Sequence, residues 1–167
     1  MVSTEHIICS MPLVVRRRVK WGECDPAGVV YTVVFAEYVI SAAEIFYEFV
    51  FGTTPQAATG EFGFKTPTRA LTFDFRRSLC PGEDFDMTVL VSQIRSRSYG
   101  LQITARTPSG GVVFVAVLTP VCIGRKERRA IELPASFRSP LEKYQAACRA
   151  CAEATPSSAT PIQGVSL

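Results

Sequence analysis

Histidine is almost missing from this chain: its 167 residues include one, His6, close to the start. A nucleophile–histidine–carboxylate arrangement needs an imidazole within reach of both partners, so that mode of hydrolysis lacks its base. Zinc chemistry is poorly supplied as well. Cys148 and Cys151 form a lone C-x-x-C, and no second pair completes four ligands; they read as two helix cysteines one turn apart. No metal or redox cofactor is expected. Excess charge is also scarce. Eighteen lysines and arginines against 15 acidic residues leave +3, too little to argue for nucleic acid, though enough for a local patch that meets a small anion. There is no internal repeat and no secretory leader pattern. The six scattered cysteines, mostly in apolar settings, read as reduced thiols of a cytoplasmic protein.

What the chain has instead is apolar mass. Hydrophobic residues make up 47% of it and the mean hydropathy is +0.19. A chain of this size forms one domain, and the apolar surplus points to a large core or an oligomer interface. The domain is expected over residues 1–153. Residues 154–167, rich in Ser, Thr and Pro, read as a disordered tail.

The segment from Val30 to Phe51 has helical periodicity. Glu37, Ser41, Glu44 and Glu48 share one narrow stripe, and nearly everything else is apolar. Three glutamates argue against a membrane span, since a central acidic residue costs roughly 2.5–3.5 kcal/mol, although a membrane-associated role for so apolar a helix stays open. The helix is therefore expected as the buried axis of the domain, ended by Gly52. Residues 1–11 carry little pattern, and Pro12 to Val19 reads as the first strand. A Gly/Pro/Thr loop with Phe62 and Phe64 covers 52–66 and is a candidate lid.

Beyond it the period becomes two. Leu71, Phe73 and Phe75 alternate with polar residues, as do Phe85 to Val91 and Tyr99 to Ala105, and Val112 to Ile123 is a continuous apolar run. Pro120 implies a bulge or a local edge. Short turns predict a meander of four antiparallel strands. Ser139-Pro140-Leu141-Glu142 reads as a capping box that opens a short helix to about Ala152.

One short segment carries chemistry: Gly22-Glu23-Cys24-Asp25-Pro26-Ala27-Gly28-Val29-Val30-Tyr31. It sets a single carboxylate, Asp25, in a Pro/Gly turn ahead of the long helix. A helix start presents unpaired N–H groups and partial positive charge, a ready oxyanion site. Asp25 can also be an ordinary turn aspartate. Gly28 fits either a close backbone approach or a plain turn. Glu23 reads as a solvated charge. Cys24 has no neighbouring base and reads as a small packed residue rather than a thiol nucleophile.

These residues, with Ile94-Arg95-Ser96-Arg97-Ser98-Tyr99 and Arg128-Arg129-Ala130-Ile131-Glu132-Leu133-Pro134-Ala135, resemble the 4-hydroxybenzoyl-CoA thioesterase family of the hot-dog fold, from about Val19 to Phe137. The resemblance implies an α+β domain, an antiparallel sheet wrapped around a long central helix, which hydrolyses an acyl-CoA to free acid and coenzyme A. It implies Asp25 as the catalytic carboxylate, Gly28 in its turn, and backbone N–H groups near Tyr31 and Thr32 as oxyanion donors. It puts the acyl group near Tyr31, Phe35, Val39 and Thr66, and coenzyme A phosphates near Arg95, Ser96 and Arg97 at a subunit interface of a homodimer or homotetramer. Ile40 stands where an acidic residue of that family receives a ring hydroxyl, so a less polar, still aromatic acyl group is expected. The same resemblance leaves open an aliphatic or carrier-bound acyl group, or a binding module without catalysis.

Overall fold

The computed structural model describes residues 4–54, 63–125 and 129–154. The expected tail lies outside them except for Ala154, and so does Phe62 of the expected lid. The described elements are β1 (Glu5–Ser10), β2 (Leu13–Arg18), a 3-10 turn (Trp21–Glu23), α1 (Val34–Phe51), β3 (Phe64–Lys65), β4 (Thr68–Phe75), β5 (Asp84–Ile94), β6 (Tyr99–Arg106), β7 (Val112–Pro120), β8 (Ile123–Gly124) and α2 (Ala135–Ala154). Six strands make one antiparallel sheet in the order β1-β2-β5-β6-β7-β4, and β3 pairs with β8.

Alternation decides which face of the sheet is covered. Phe85, Met87 and Val89 of β5 and Leu101, Ile103 and Ala105 of β6 are fully buried. They meet the inner face of α1, where Phe35, Tyr38, Val39, Ala42, Ala43 and Phe46 are buried at helical spacing. The fold is the expected α+β wrap of an antiparallel sheet around a central helix. Its register holds because a one-residue slip would turn these side chains to water. Gly52, at φ +67° and donating to the Glu48 carbonyl, ends α1 as expected.

Five expectations need correction. Residues 5–10 form a strand, β1, that the sequence pattern does not show, because Ile7 and Ile8 are both exposed on this edge. The helix starts at Val34, not Val30, since Val30 bridges to Cys24 and donates to the Leu79 carbonyl instead. The four late strands are not a simple meander. β4 lies on the far edge beside β7, and residues 76–83 carry the chain back across the sheet to β5. Phe64 is not part of a lid: it is buried in β3 against Phe137. Pro140 does not open the last helix. The Pro134 carbonyl already accepts the N–H groups of Phe137 and Arg138, and the helix runs through Pro140. Phe137, Leu141, Tyr144 and Cys148, buried at spacings of 4, 3 and 4, outweigh the bond that proline forgoes. Pro120 ends β7 opposite a register shift in β4, the expected bulge next to an edge.

Candidate active site

The Asp25 turn is a loop closed at its base. Cys24 bridges to Val30, Asp25 N–H donates to the Val29 carbonyl at 2.9 Å, and Gly28 N–H donates to the Asp25 carbonyl at 2.9 Å. Ala27 N–H donates to Asp25 Oδ1 at 2.8 Å, which orients the half-exposed carboxylate while its second oxygen carries no described bond. Gly28 sits at φ +79°. A Cβ added there would meet nothing within 4 Å, so the left-handed backbone, not a crowded neighbour in this chain, selects glycine.

The chain then rises into α1. Tyr31 N–H is committed to the Glu23 carbonyl at 3.0 Å, and Val34 N–H to the Tyr31 carbonyl at 2.9 Å. The N–H groups of Thr32 and Val33, between them, donate to no described backbone carbonyl. Beside them opens a cleft of about 350 Å³ lined by Val29, Val30, Thr32, Phe35, Phe75, Arg76, Arg77 and Ser78. Its aromatic wall is packed from behind: Phe35 meets Phe75 edge-on at 5.1 Å and Phe114 at 5.5 Å. Phe75, Arg76, Arg77 and Ser78 were not singled out from sequence. They follow β4 directly, and only the chain's return across the sheet brings them here.

The expected site residues fall into two groups. Asp25, Gly28, Tyr31, Thr32 and Phe35 gather at the start of α1. Val39, one turn further, is fully buried in the core. Ile40 is 45% exposed and lies outside the lining of the cleft. The second group sits at the opposite end. Arg95, Ser96 and Arg97 are exposed in the β5–β6 hairpin, at the far end of β5 from Asp84, on the order of 33 Å along the strand. Thr66, half-buried, hydrogen-bonds to the Tyr99 hydroxyl near that same end. One chain therefore does not bring the arginine hairpin to the Asp25 turn.

Two other groups sort out clearly. His6 is exposed on β1 and lines a different cleft with Arg16, Arg18, Lys20 and Trp21. Cys24 is pushed up from the ordinary thiol range by burial first, then by Cys80, Glu23 and Asp25 nearby, which argues against a thiolate nucleophile. Among the described residues no cluster of His, Cys, Asp and Glu is arranged to hold a metal ion. No described helix is long and apolar enough to cross a membrane.

Glu23 is not the solvated charge expected. Its carboxylate accepts from Arg17, from the Tyr38 hydroxyl at 2.7 Å and from Lys20 N–H at 2.8 Å. Burial alone would raise its pKa, but these donors hold it below the ordinary glutamate value. Sequence carried a signal for this: Leu13, Val15 and Arg17 alternate along one face of β2, a period that the buried Val19 just beyond it continues, so Arg17 occupies a core position and needs partners.

A model of the Thioesterase-like superfamily matches residues 19–141, and the chain belongs to that superfamily. At that level it is a thioester hydrolase. No curated protein matches the chain. Three solved structures set the fold. A thioesterase superfamily protein from Jannaschia sp. CCS1 is 19% identical with a TM-score of 0.74, over 86% of this chain and 97% of that one. A 1,4-dihydroxy-2-naphthoyl-CoA thioesterase from Synechocystis is 21% identical, TM-score 0.70, over 77% and 93%. The 4-hydroxybenzoyl-CoA thioesterase of Pseudomonas sp. strain CBS-3 is 22% identical, TM-score 0.67, over 76% and 96%. Likeness at this identity shows the hot-dog fold, as the sequence motifs imply.

Proposed function

We propose that this chain hydrolyses an acyl-CoA thioester whose acyl group is aromatic, with Asp25 as the carboxylate catalyst. The observation that carries this is the sequence of groups at the start of α1: the turn carboxylate Asp25, whose N–H is bound to the Val29 carbonyl, and then Val29, Val30 and Thr32 of the aromatic cleft lining, with the Thr32 N–H donating to no described backbone carbonyl. A thioester carbonyl seated there gains charge on oxygen as it is attacked, and the Thr32 N–H at the positive end of α1 stabilises that charge. Asp25 either attacks the carbonyl carbon, expelling coenzyme A thiolate and leaving an anhydride for water to cleave, or takes a proton from the attacking water. A thiolate leaves readily, so no general acid is demanded, which suits a site without histidine.

The substrate is read as aromatic because the cleft is lined by two rings, Phe35 and Phe75, packed edge-on against each other. Thioesterases in the named neighbours act on aromatic acyl-CoAs, which supports the same reading. Comparing turnover of benzoyl-CoA, hexanoyl-CoA and the corresponding carrier-protein thioesters tests it. Faster hydrolysis of hexanoyl or carrier-bound substrate would replace this reading with the aliphatic or carrier-bound one.

The working unit is a homodimer or an assembly of homodimers. Among the described residues β4 is an unpaired edge; Phe75 on it, Tyr31 and Val33 before α1, and Ile40 on α1 are exposed. Antiparallel pairing of β4 with its copy about a two-fold axis sets the Thr66 end of one chain beside the Phe75 end of the other. The arginine hairpin of the second copy then lies toward the first copy's cleft, where Arg95, Ser96 and Arg97 meet the coenzyme A phosphates. The reaction is read as using no cofactor, since coenzyme A enters as part of the substrate.

A further inference from the structure

Asp25 sits in a turn with few contacts of its own: Pro26, Ala27 and Gly28 are exposed. Its position is decided by the chain on either side, and Glu23 holds both sides. Glu23 lies two residues before Asp25, and its carbonyl accepts Tyr31 N–H, the first residue after the loop, at 3.0 Å. Its side chain is anchored inward on Arg17 and on the Tyr38 hydroxyl of α1. The Arg17 guanidinium, 11% exposed, lies 4.4 Å over the Tyr38 ring and also pairs with Glu5 of β1, which accepts from Ser41 of α1. The array thus ties β1, β2, the turn and α1 together at one point.

The arrangement costs the fold something. Arg17 Nε is buried and without a hydrogen-bond partner among the described residues. The array buries two carboxylates against a single guanidinium. Arg16 and Arg18, on the same strand, face outward and form simple pairs with Asp86 and Asp84. A buried ion cluster with an orphaned donor is a poor stabilising device, since apolar residues of similar volume do as well or better. What it supplies is direction: a two-sided guanidinium and a hydroxyl fix the Glu23 carboxylate in space, and with it both ends of the loop.

We propose that Arg17, Glu23 and Tyr38 are positioning residues that hold the Asp25 turn, and with it the carboxylate, against the start of α1. This rests on the reading of Asp25 as the catalyst. The Tyr38 ring packs edge-on against Phe35 of the cleft wall at 5.8 Å, but Arg17, Glu23 and Tyr38 themselves line neither the cleft nor the hairpin, so removing a charge or the hydroxyl while keeping that ring acts on the chemical step and not on substrate affinity.

The test is steady-state kinetics per folded protein, with whichever of benzoyl-CoA and hexanoyl-CoA the unaltered protein hydrolyses faster. A misplacement of about 1 Å in a reacting group costs about 100-fold, so the partial release in Glu23→Gln should lower kcat about 10-fold with KM within about twofold. Tyr38→Phe, which keeps the ring and removes one donor, should lower kcat about 3-fold on the same grounds. Arg17→Lys should retain more activity than Arg17→Gln, because an ammonium still places charge between Glu5 and Glu23. Asp86→Asn breaks an ion pair on the neighbouring strand and should leave kcat unchanged.

In an Asp25→Asn background, Glu23→Gln should cost nothing further, because the two changes damage one function. Unchanged kcat in Glu23→Gln and Tyr38→Phe, with only a lower melting temperature, would overturn the proposal while leaving Asp25 as catalyst. A rise in KM with kcat intact would overturn it as well. Full activity in Asp25→Asn alone would instead sink the catalytic reading, and the positioning role with it.

Discussion

Both ends of α1 pack rings, but its start adds an array of charges and directed hydrogen bonds to them. Around Asp25 the contacts are ion pairs and hydrogen bonds between groups of fixed geometry: Arg17 with Glu5 and Glu23, Tyr38 with Glu23, Ala27 with Asp25. At the other end, Phe51 stacks on Phe137 at 4.4 Å, Phe64 and Tyr99 pack on the same ring, and Tyr47 and Tyr99 share a hydrogen bond between their hydroxyls. Ring packing is strong and tolerant of direction, which suffices to carry a hairpin whose arginines are exposed. A reacting carboxylate needs its position set to a fraction of an ångström, and only directional bonds do that.

The largest effect that would sharpen this contrast is at the charged end. Asp25→Asn keeps the shape of the turn and should reduce kcat by about 100-fold or more, the scale of removing a positioned acid–base or electrostatic group. Circular dichroism would confirm an intact fold, and unchanged turnover would remove Asp25 from the mechanism. Substitutions at the hairpin should behave differently. Losing charge-assisted phosphate contacts through Arg95→Ala with Arg97→Ala should raise KM for an acyl-CoA about 10-fold or more, with kcat nearly constant. A short thioester without the nucleotide, such as the N-acetylcysteamine analogue, should show no such change. Equal effects on both substrates would show that the hairpin does not meet the nucleotide.

Gly28→Ala comes next. A side chain at φ +79° costs roughly 1–2 kcal/mol, so a lower melting temperature and a several-fold lower kcat are expected, without any steric clash.

The smallest effect is a pH dependence. The Glu23 carboxyl is held below its ordinary value of 4.5, so the folded state binds that proton less readily than the unfolded chain. Its contribution to stability is present above about 4.5 and lost as pH falls below it. Glu23→Gln should flatten that part of the acid denaturation curve. A curve of unchanged steepness would show that Glu23 gains nothing from its partners.

Parts of this contrast are legible in the residues alone. The alternation through Phe85 to Val91 and Tyr99 to Ala105, and the 3.6-residue period of α1, each report burial on one face, and both faces are buried as read. The Asp25 turn is legible because Pro, Gly and a helix start follow each other within a few residues. The edge strands are less so. β1 turns isoleucines to solvent, and β4 shows the right alternation but gives no sign that its neighbour is β7. Ser139-Pro140 has every mark of a helix start, yet the apolar anchor Phe137 pulls the helix back to Ala135. Arg17 sits in a run of three arginines that looks like a solvated face until strand alternation turns the middle one inward.

By itself, then, the sequence determined the central helix, the alternating strands and the apolar face of each, and where a lone carboxylate precedes a helix, though not the edge strand β1 or the short pair β3 and β8. Each depends on residues close together in the chain, whose spacing is set by backbone geometry. The tertiary structure decided which of those elements meet. It brought Phe75 and Arg76 to the helix start, gave Glu23 its partners on β2 and α1, and set the arginine hairpin at the opposite end of the sheet. Those meetings depend on strand order and on pairing between distant segments, which no local pattern encodes.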